Sequence, residues 1–303
     1  MNRPYKTSVY RIIEQTVAYI EENMKTPISL DDLSASLNVS KFHLHRLIRH
    51  TTGQPLVAYI RARKLSRSVD YLLNTDWNII DIATEFGFEH EQSYIRSFKR
   101  LFGATPSYLR KVFAPITLTE KMDLSKLENV AEGLVFEPTV VVKPVTYLVG
   151  KKGEVHMEEN YYKHTANAAG NRFFYNDHPK IPNKVNENLY IGLTQFIKNS
   201  VTSDYIPSAE VHSLEGQFES WDTTVLPAHK YMVFKYVGDF HPRQLTFVQL
   251  EHIWNYIDGW LPHSIYEQSA PYYFEYIDVG LASEDYCEVD LYIPIQNKQK
   301  LLP

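Results

Sequence analysis

Two short runs of side chains, fifty residues apart, have the types and spacing to read base edges in DNA. Phe42, His45, Arg46 and Arg49 fall at i, i+3, i+4 and i+7, one face of a helix, while Leu44, Leu47 and Ile48 fall on the other. Gln92, Arg96 and Lys99 repeat the arrangement at i, i+4 and i+7, with Ser93 beside them and Tyr94, Phe98 and Leu101 on the inner side. Arginine pairs with guanine, glutamine suits adenine, and a phenyl ring can touch a thymine methyl. Ser93 or Lys99 could instead meet phosphate. For Phe42 and His45 the plain alternative is a partly buried ring and a solvated imidazole.

These faces need helices to hold them. The spacing predicts a first helix from Val9 to Glu22, with Ile12, Ile13, Thr16, Val17 and Ile20 on one stripe, ended by Pro27. Ser29 reads as the N-cap of a short helix carrying Leu33, Ala35 and Leu37; Asn38 reads as a left-handed turn, and Ser40 as the cap of the helix bearing Phe42 to Arg49. After Gly53-Gln54-Pro55, a long helix runs from Leu56 to Asn74. Its apolar side is Ala58, Ile60, Leu65, Val69, Leu72 and Leu73, and Arg61, Arg63, Lys64 and Arg67 form a basic face, solvated or near phosphates. The unit then repeats: Asn78 as cap, Asp81 in the first turn, Gly87 in the turn at the position of Leu37, and a second helix from Glu91 to about Phe102. Arg46-Leu47-Ile48-Arg49, Gly53, Pro55 and Tyr59 match Arg96-Ser97-Phe98-Lys99, Gly103, Pro106 and Tyr108, so one chain carries two such units.

A second constellation lies far along the chain. Glu275 sits on an expected strand between Phe274 and Tyr276, in a region that holds 15 of the 22 tyrosines and three of the four tryptophans. Aromatic walls hold flat or cationic molecules by stacking and cation–π attraction, and a partly buried carboxylate adds charge complementarity. Tyr147, Tyr190, Trp221, Tyr231 and Trp260 are candidate wall residues, each with ordinary core packing as its plain alternative. The neighbours of Glu275 point to the opposite face of its strand, so the walls must come from other strands. An internal repeat organises this part. Tyr147-Leu148-Val149-Gly150-Lys151 matches Tyr231-Met232-Val233-Phe234-Lys235, and Leu189-Tyr190-Ile191 matches Tyr273-Phe274-Glu275, both at an offset of 84. Each half reads as strand, helix, strand, strand; in the second half these span about 229–237, 244–257, 272–279 and 287–294, and in the first the helix lies near 160–169.

Composition sets the frame. The chain has 303 residues, 44% hydrophobic and 22% charged, enough for about two domains. Residues 1–113 carry 16 Lys and Arg against 11 Asp and Glu, whereas residues 114–303 carry 15 against 25. A basic front suits a polyanion, and an acidic back suits neither nucleic acid nor an anionic membrane. The single cysteine, Cys287, cannot form an internal disulfide, and there is no apolar run of membrane-spanning length and no secretory signal, so a cytoplasmic protein is expected. There is no Gly-rich phosphate loop, no His-Glu-x-x-His and no cysteine metal spacing; His43 and His45 point to different helix faces and are read as non-metal. Neither metal nor cofactor is expected.

The stretch Trp77-Asn78-Ile79, Ile82-Ala83, Phe86-Gly87-Phe88, Ser93-Tyr94, Arg96-Ser97-Phe98-Lys99 and Phe102 to Arg110 resembles the AraC/XylS signature, over about residues 8–112. That resemblance implies two helix-turn-helix units entering adjacent major grooves, with Phe42, His45, Arg46, Gln92 and Arg96 at base-reading positions. Glu89 and Glu91 depart from it, placing acids where phosphates would lie. The back part resembles the GyrI-like, effector-binding family through Leu226 to Tyr231, Gly238, Trp254 with Trp260-Leu261-Pro262, Phe274-Glu275-Tyr276 and Leu291 to Ile295, over about 137–297. This resemblance implies a ligand groove between the pseudo-repeats with a central glutamate. The expected chain is therefore multidomain: an all-α, homeodomain-like double helix-turn-helix domain at 1–112, a linker at 113–136, and an α+β GyrI-like domain of two strand-helix-strand-strand pseudo-repeats at 137–303. Expected partners are double-stranded promoter DNA, a small aromatic or cationic effector and RNA polymerase. Three readings stay open: a ligand-responsive regulator, a constitutive regulator whose back domain binds protein, and a hydrolase of small electrophiles tethered to DNA. Fusion to a DNA-binding domain favours a sensor over an enzyme.

Overall fold

The computed structural model describes residues 7–112, 114–215 and 218–298. Tyr10–Ser125 forms one compact unit; Lys126 onward, with the described residues before Tyr10, forms the other. Among the described residues no helix is long and apolar enough to cross a membrane.

The first unit is helical: α1 (Ser8–Glu22), α2 (Leu30–Ser36), α3 (Lys41–Thr52), α4 (Leu56–Asn74), α5 (Ile79–Glu85), α6 (Glu91–Phe102) and α7 (Pro106–Val112). Its starts and stops follow local chemistry. The Ser29 and Ser40 hydroxyls accept from the backbone N–H groups of Asp32 and His43, and Gly53 and Gly103 end α3 and α6 in the left-handed region at φ 70° and 75°. The two copies are not displaced by one constant offset. Leu33 and Ile82 are the equivalent buried residues, 49 apart, and Asn38 and Gly87 are the two left-handed turn residues, again 49 apart. The following helices α3 and α6 start 50 apart. Gly87 therefore matches Asn38 rather than Leu37, and the second turn is one residue longer.

Three expectations are corrected, two on α4 and one on α6. Arg63 and Lys64 are not on a solvated face: they are 5% and 6% exposed. Arg63 binds both oxygens of Glu21 at 2.8 Å and donates to the Thr119 carbonyl, and Lys64 donates to the Thr26 and Phe86 carbonyls. Burial of both is tolerated because their donors are taken up by carboxylate or carbonyl oxygens. Leu73 and Leu101, expected inside, are instead 37% and 39% exposed. The core below α6 is made by Tyr94 and Phe98 with Leu65, Val69, Leu72, Ile82, Phe86 and Leu109, and the Tyr94 hydroxyl meets that of Ser68 at 2.9 Å. The first part of the expected linker lies on this unit, with the Thr119 N–H on Ser66 and the Met122 N–H on the Tyr59 hydroxyl.

The second unit is a mixed domain. Its elements are β1 (Glu128–Val130), β2 (Gly133–Val135), β3 (Thr139–Lys143), β4 (Thr146–Gly150), β5 (Gly153–His156), α8 (Met157–Lys163), α9 (Thr165–Arg172), β6 (Leu189–Phe196), β7 (Thr202–Val211), β8 (Asp222–Leu226), β9 (His229–Gly238), α10 (Phe247–Trp260), β10 (Tyr266–Gln268), β11 (Tyr272–Asp278) and β12 (Cys287–Asn297). One antiparallel sheet runs β1-β2-β9-β12-β11-β6-β7-β4-β8. The pseudo-repeats are β4-α8/α9-β6-β7 and β9-α10-β11-β12, meeting where β6 pairs with β11. The first helix is split, because His164 takes a left-handed conformation at φ 53° between α8 and α9, and a π-turn at Phe173–Asp177 follows. In the second half the helix starts later than expected, because Thr246 and Gln249 close a capping box after a 3-10 turn at Pro242–Gln244.

Register explains the shape. Lys143 pairs with His229 and Thr146 with Leu226, so the β3–β9 ladder continues in phase into β4–β8. Pro144 and Pro227 fall at the bend, where no N–H is needed. The sheet thus rolls back on itself. Leu148, Leu189, Ile191, Leu193, Ile206, Tyr231 and Phe274 fill one face, and the other packs Val149, Met232, Phe234, Leu291 and Ile293 under the helix side.

Candidate functional site

On the helical unit, α3 is anchored by Leu44, Leu47 and Ile48, all fully buried, and this fixes its opposite face toward solvent. Phe42 is 65% exposed, Arg49 is exposed, and His45 and Arg46 are half-buried. The Arg46 guanidinium lies over the Phe42 ring, 5.3 Å from its centroid, so the two side chains present one stacked surface. On α6, Gln92, Ser93, Arg96 and Lys99 are all exposed, and Arg96 Nε donates to the Gln92 carbonyl at 3.4 Å. Glu89 is exposed just ahead of α6, and Glu91 is half-buried in its first turn. Six of the eight base- and phosphate-reading candidates are therefore exposed, while His45 and Arg46 are half-buried on the same face of α3 as Phe42.

On the mixed domain, the helix side of the sheet carries a pocket half open to solvent. Its floor is β6, β7 and β11, which contribute Tyr190, Tyr205 and Glu275; its walls are α9, the π-turn with Phe174 and Tyr175, and the start of α10 with Phe247. A second, adjoining cavity is lined by Val155, Met157, Phe196, Ser203, Tyr273 and again Glu275. Glu275 is 4% exposed and accepts a hydrogen bond from Tyr205 at 3.4 Å; Tyr205 in turn meets the Tyr190 hydroxyl at 2.6 Å. Among the described residues no cation faces this carboxyl. Burial pushes its pKa up to about 8, only partly offset by the Tyr205 hydrogen bond. Burial, with the nearby carboxylate second, raises the Tyr190, Tyr205 and Tyr273 hydroxyls above the ordinary phenol range.

Room for Glu275 comes from the strand beside it. Its cross-strand partner is Gly192, where a Cβ would lie 2.0 Å from Glu275 Oε2 and 2.7 Å from the Tyr205 hydroxyl. One wall is held by Asn167, which donates to the Arg243 and Leu245 carbonyls, and by Asn171, which donates to the Arg243 carbonyl. Arg243 lies over the Tyr175 ring at 4.4 Å and donates to its hydroxyl at 2.6 Å, closing the rim.

Of the six effector-binding candidates, Glu275 and Tyr190 line the first cavity and the other four line neither. Tyr231 is on the opposite face of the sheet, against Phe274 and Tyr292. Trp260 packs edge-on to Phe234, Trp221 edge-on to Phe173, and Tyr147 lies against the margin of the helix-side core. Tyr205, Phe174, Tyr175, Asn167, Arg243 and Phe247 were not anticipated. The usable signal for Tyr205 is strand register: Glu275 pairs with Gly192, and Tyr205 pairs with Thr194, two residues along β6.

Residues 136–296, just over half of the chain, match the GyrI-like small molecule binding domain. The chain belongs to the GyrI-like family. Residues 33–111 match a helix-turn-helix domain, and this front domain is of the AraC type. Transcriptional regulator Rob of Salmonella typhimurium is 39% identical over 100 residues, covering 33% of this chain and 35% of Rob. The HTH-type transcriptional activator AarP of Providencia stuartii is 36% identical over 99 residues, covering 33% of this chain and 73% of AarP. This GyrI-like protein thus spans about a third of the length of relatives such as Rob. A solved structure of SAV2435 bound to tetraphenylphosphonium aligns at a TM-score of 0.43 and 16% identity, over 53% of this chain and 94% of that one.

Proposed function

We propose that the protein is a DNA-binding transcription regulator that senses a hydrophobic cation. The observation that carries the ligand class is Glu275: a single carboxylate, 4% exposed, in an aromatic-lined pocket whose lining cation, Arg243, is held over the Tyr175 ring. An uncompensated buried charge is costly, so the empty site favours the protonated acid. A bound cation reverses this, holding the carboxylate ionised and displacing its proton. The aromatic walls supply stacking and cation–π attraction at the same place.

For DNA, the support is the pair of outward faces. α3 offers Phe42, His45, Arg46 and Arg49 to one major groove, and α6 offers Gln92, Ser93, Arg96 and Lys99 to a second. Residues 1–112 are the DNA-reading part and 137–303 the sensing part; the bound effector changes promoter affinity or contact with RNA polymerase. The protein acts as a sensor rather than a hydrolase, and incubation with a small epoxide is expected to give no hydrolysis product by mass spectrometry. The deciding experiment is titration of the full chain with benzyltrimethylammonium. Binding that weakens strongly in Glu275→Gln supports the reading, and equal binding by both proteins removes the carboxylate from the site.

A further inference from the structure

Glu275 lies where two cavities meet. The two pockets share Asn160, Ala166, Tyr205, Phe247, Leu250 and Glu275. Beyond the shared residues they diverge. One lobe runs under the π-turn to Phe174, Tyr175 and Val279. The other runs toward Val155, Met157, Phe196 and Tyr273, beneath the first turn of α8. The roof they share is held: Asn160 Oδ1 accepts from the Ala166 N–H at 2.8 Å and from the Thr165 hydroxyl at 3.2 Å, tying α8 to α9. No other acidic residue lines either lobe.

We infer that the site takes an elongated monocation with an apolar arm on each side of its charge, one arm in each lobe. This rests on the reading of Glu275 as the counter-charge. A ligand with one arm leaves the second lobe's apolar wall facing water, and that surface is the source of the extra affinity a second arm would gain. The single carboxylate matches one positive centre; a second charge carried into either lobe would be desolvated without a partner.

The test compares benzyltrimethylammonium, with one aromatic arm, and dibenzyldimethylammonium, with two, by calorimetry on the full chain at pH 9. The two-armed cation is expected to bind at least about tenfold tighter, the return for burying a second ring. Val155→Trp plugs one lobe and Val279→Trp the other. Either plug is expected to bring the two-armed cation down to the one-armed level and to leave the one-armed cation unchanged, since its arm uses whichever lobe is open. The Val279 variant keeps the test if the Val155 variant fails to fold. Equal affinity of the two cations for the unmodified protein overturns the inference, as does a plug that leaves the two-armed advantage intact. Glu275→Gln separates the two ideas: loss of both cations with no two-arm advantage in the unmodified protein sinks the two-lobe inference alone, and unchanged binding of both sinks the charge reading itself.

Discussion

Arg96 is exposed and Arg46 half-buried over the Phe42 ring, whereas Glu275 lies beside Tyr205 with 4% of its surface exposed. The contrast is one of solvent. Charges on α3 and α6 interact through water and salt, so each contributes modestly and several are needed. The buried carboxyl has no solvent to fall back on, so on the proposed reading a single residue would set both the charge of the ligand and the pH at which it binds. The proposed DNA reader would therefore be spread over eight side chains, while the proposed sensor would concentrate on one and on the glycine that makes space for it.

Above pH 8, Glu275→Gln should weaken a cationic ligand by roughly 100-fold, as expected when one partner of a buried ion pair is removed, with promoter DNA binding unchanged in a gel-shift titration. Gly192→Ala should cost roughly 1–3 kcal/mol of stability by overpacking, read as a lower denaturant midpoint, and should abolish ligand binding because the new methyl occupies the carboxylate's position. Arg46→Ala and Arg96→Ala should each cost about 1–3 kcal/mol in specific DNA binding. The Arg46 change should be the larger, since α3 carries no acid while Glu89 and Glu91 oppose phosphate at α6. Equal losses would undo that ranking. The smallest effect is expected from Glu89→Gln with Glu91→Gln, which should tighten DNA binding by roughly two- to threefold at low salt and by less as salt screens it.

Stability should carry the same signature. The folded-state pKa of Glu275, raised to about 8, lies above the ordinary carboxylate value of an unfolded chain. The native state then holds the extra proton, so stability falls as pH rises from about 5 through 8. Glu275→Gln should remove that slope from thermal melts taken between pH 5 and 9.

Much of the helical unit was legible because its signals are local. The Ser29 and Ser40 caps, Gly53 and Gly103, and the stripe Leu44, Leu47 and Ile48 each depend on residues within a turn or two. What escaped was tertiary. Arg63 and Lys64 read as surface cations until Glu21, Thr119, Thr26 and Phe86 are brought to them from elsewhere in the chain. Leu101 falls off the inward stripe of α6, whose last-turn position is taken by Phe102 stacked edge-on against Phe98. In the mixed domain the repeat and Glu275 were visible, but the cavity's aromatic wall was not. Abundance of tyrosine and tryptophan says nothing about which face of a rolled sheet each one takes. Register decides that Tyr231 joins Phe274 on one face while Glu275 joins Tyr205 on the other. The π-turn that aims Phe174 and Tyr175 has no comparable sequence signature.

The central claim is that a cation displaces the proton of Glu275. Calorimetric titration of the full chain with dibenzyldimethylammonium at pH 7, repeated in buffers of different ionisation enthalpy, measures that proton directly. Close to one proton released per cation bound, falling toward zero above pH 9 and absent in Glu275→Gln, is the predicted result. Cation binding with no proton released at pH 7 would contradict the account.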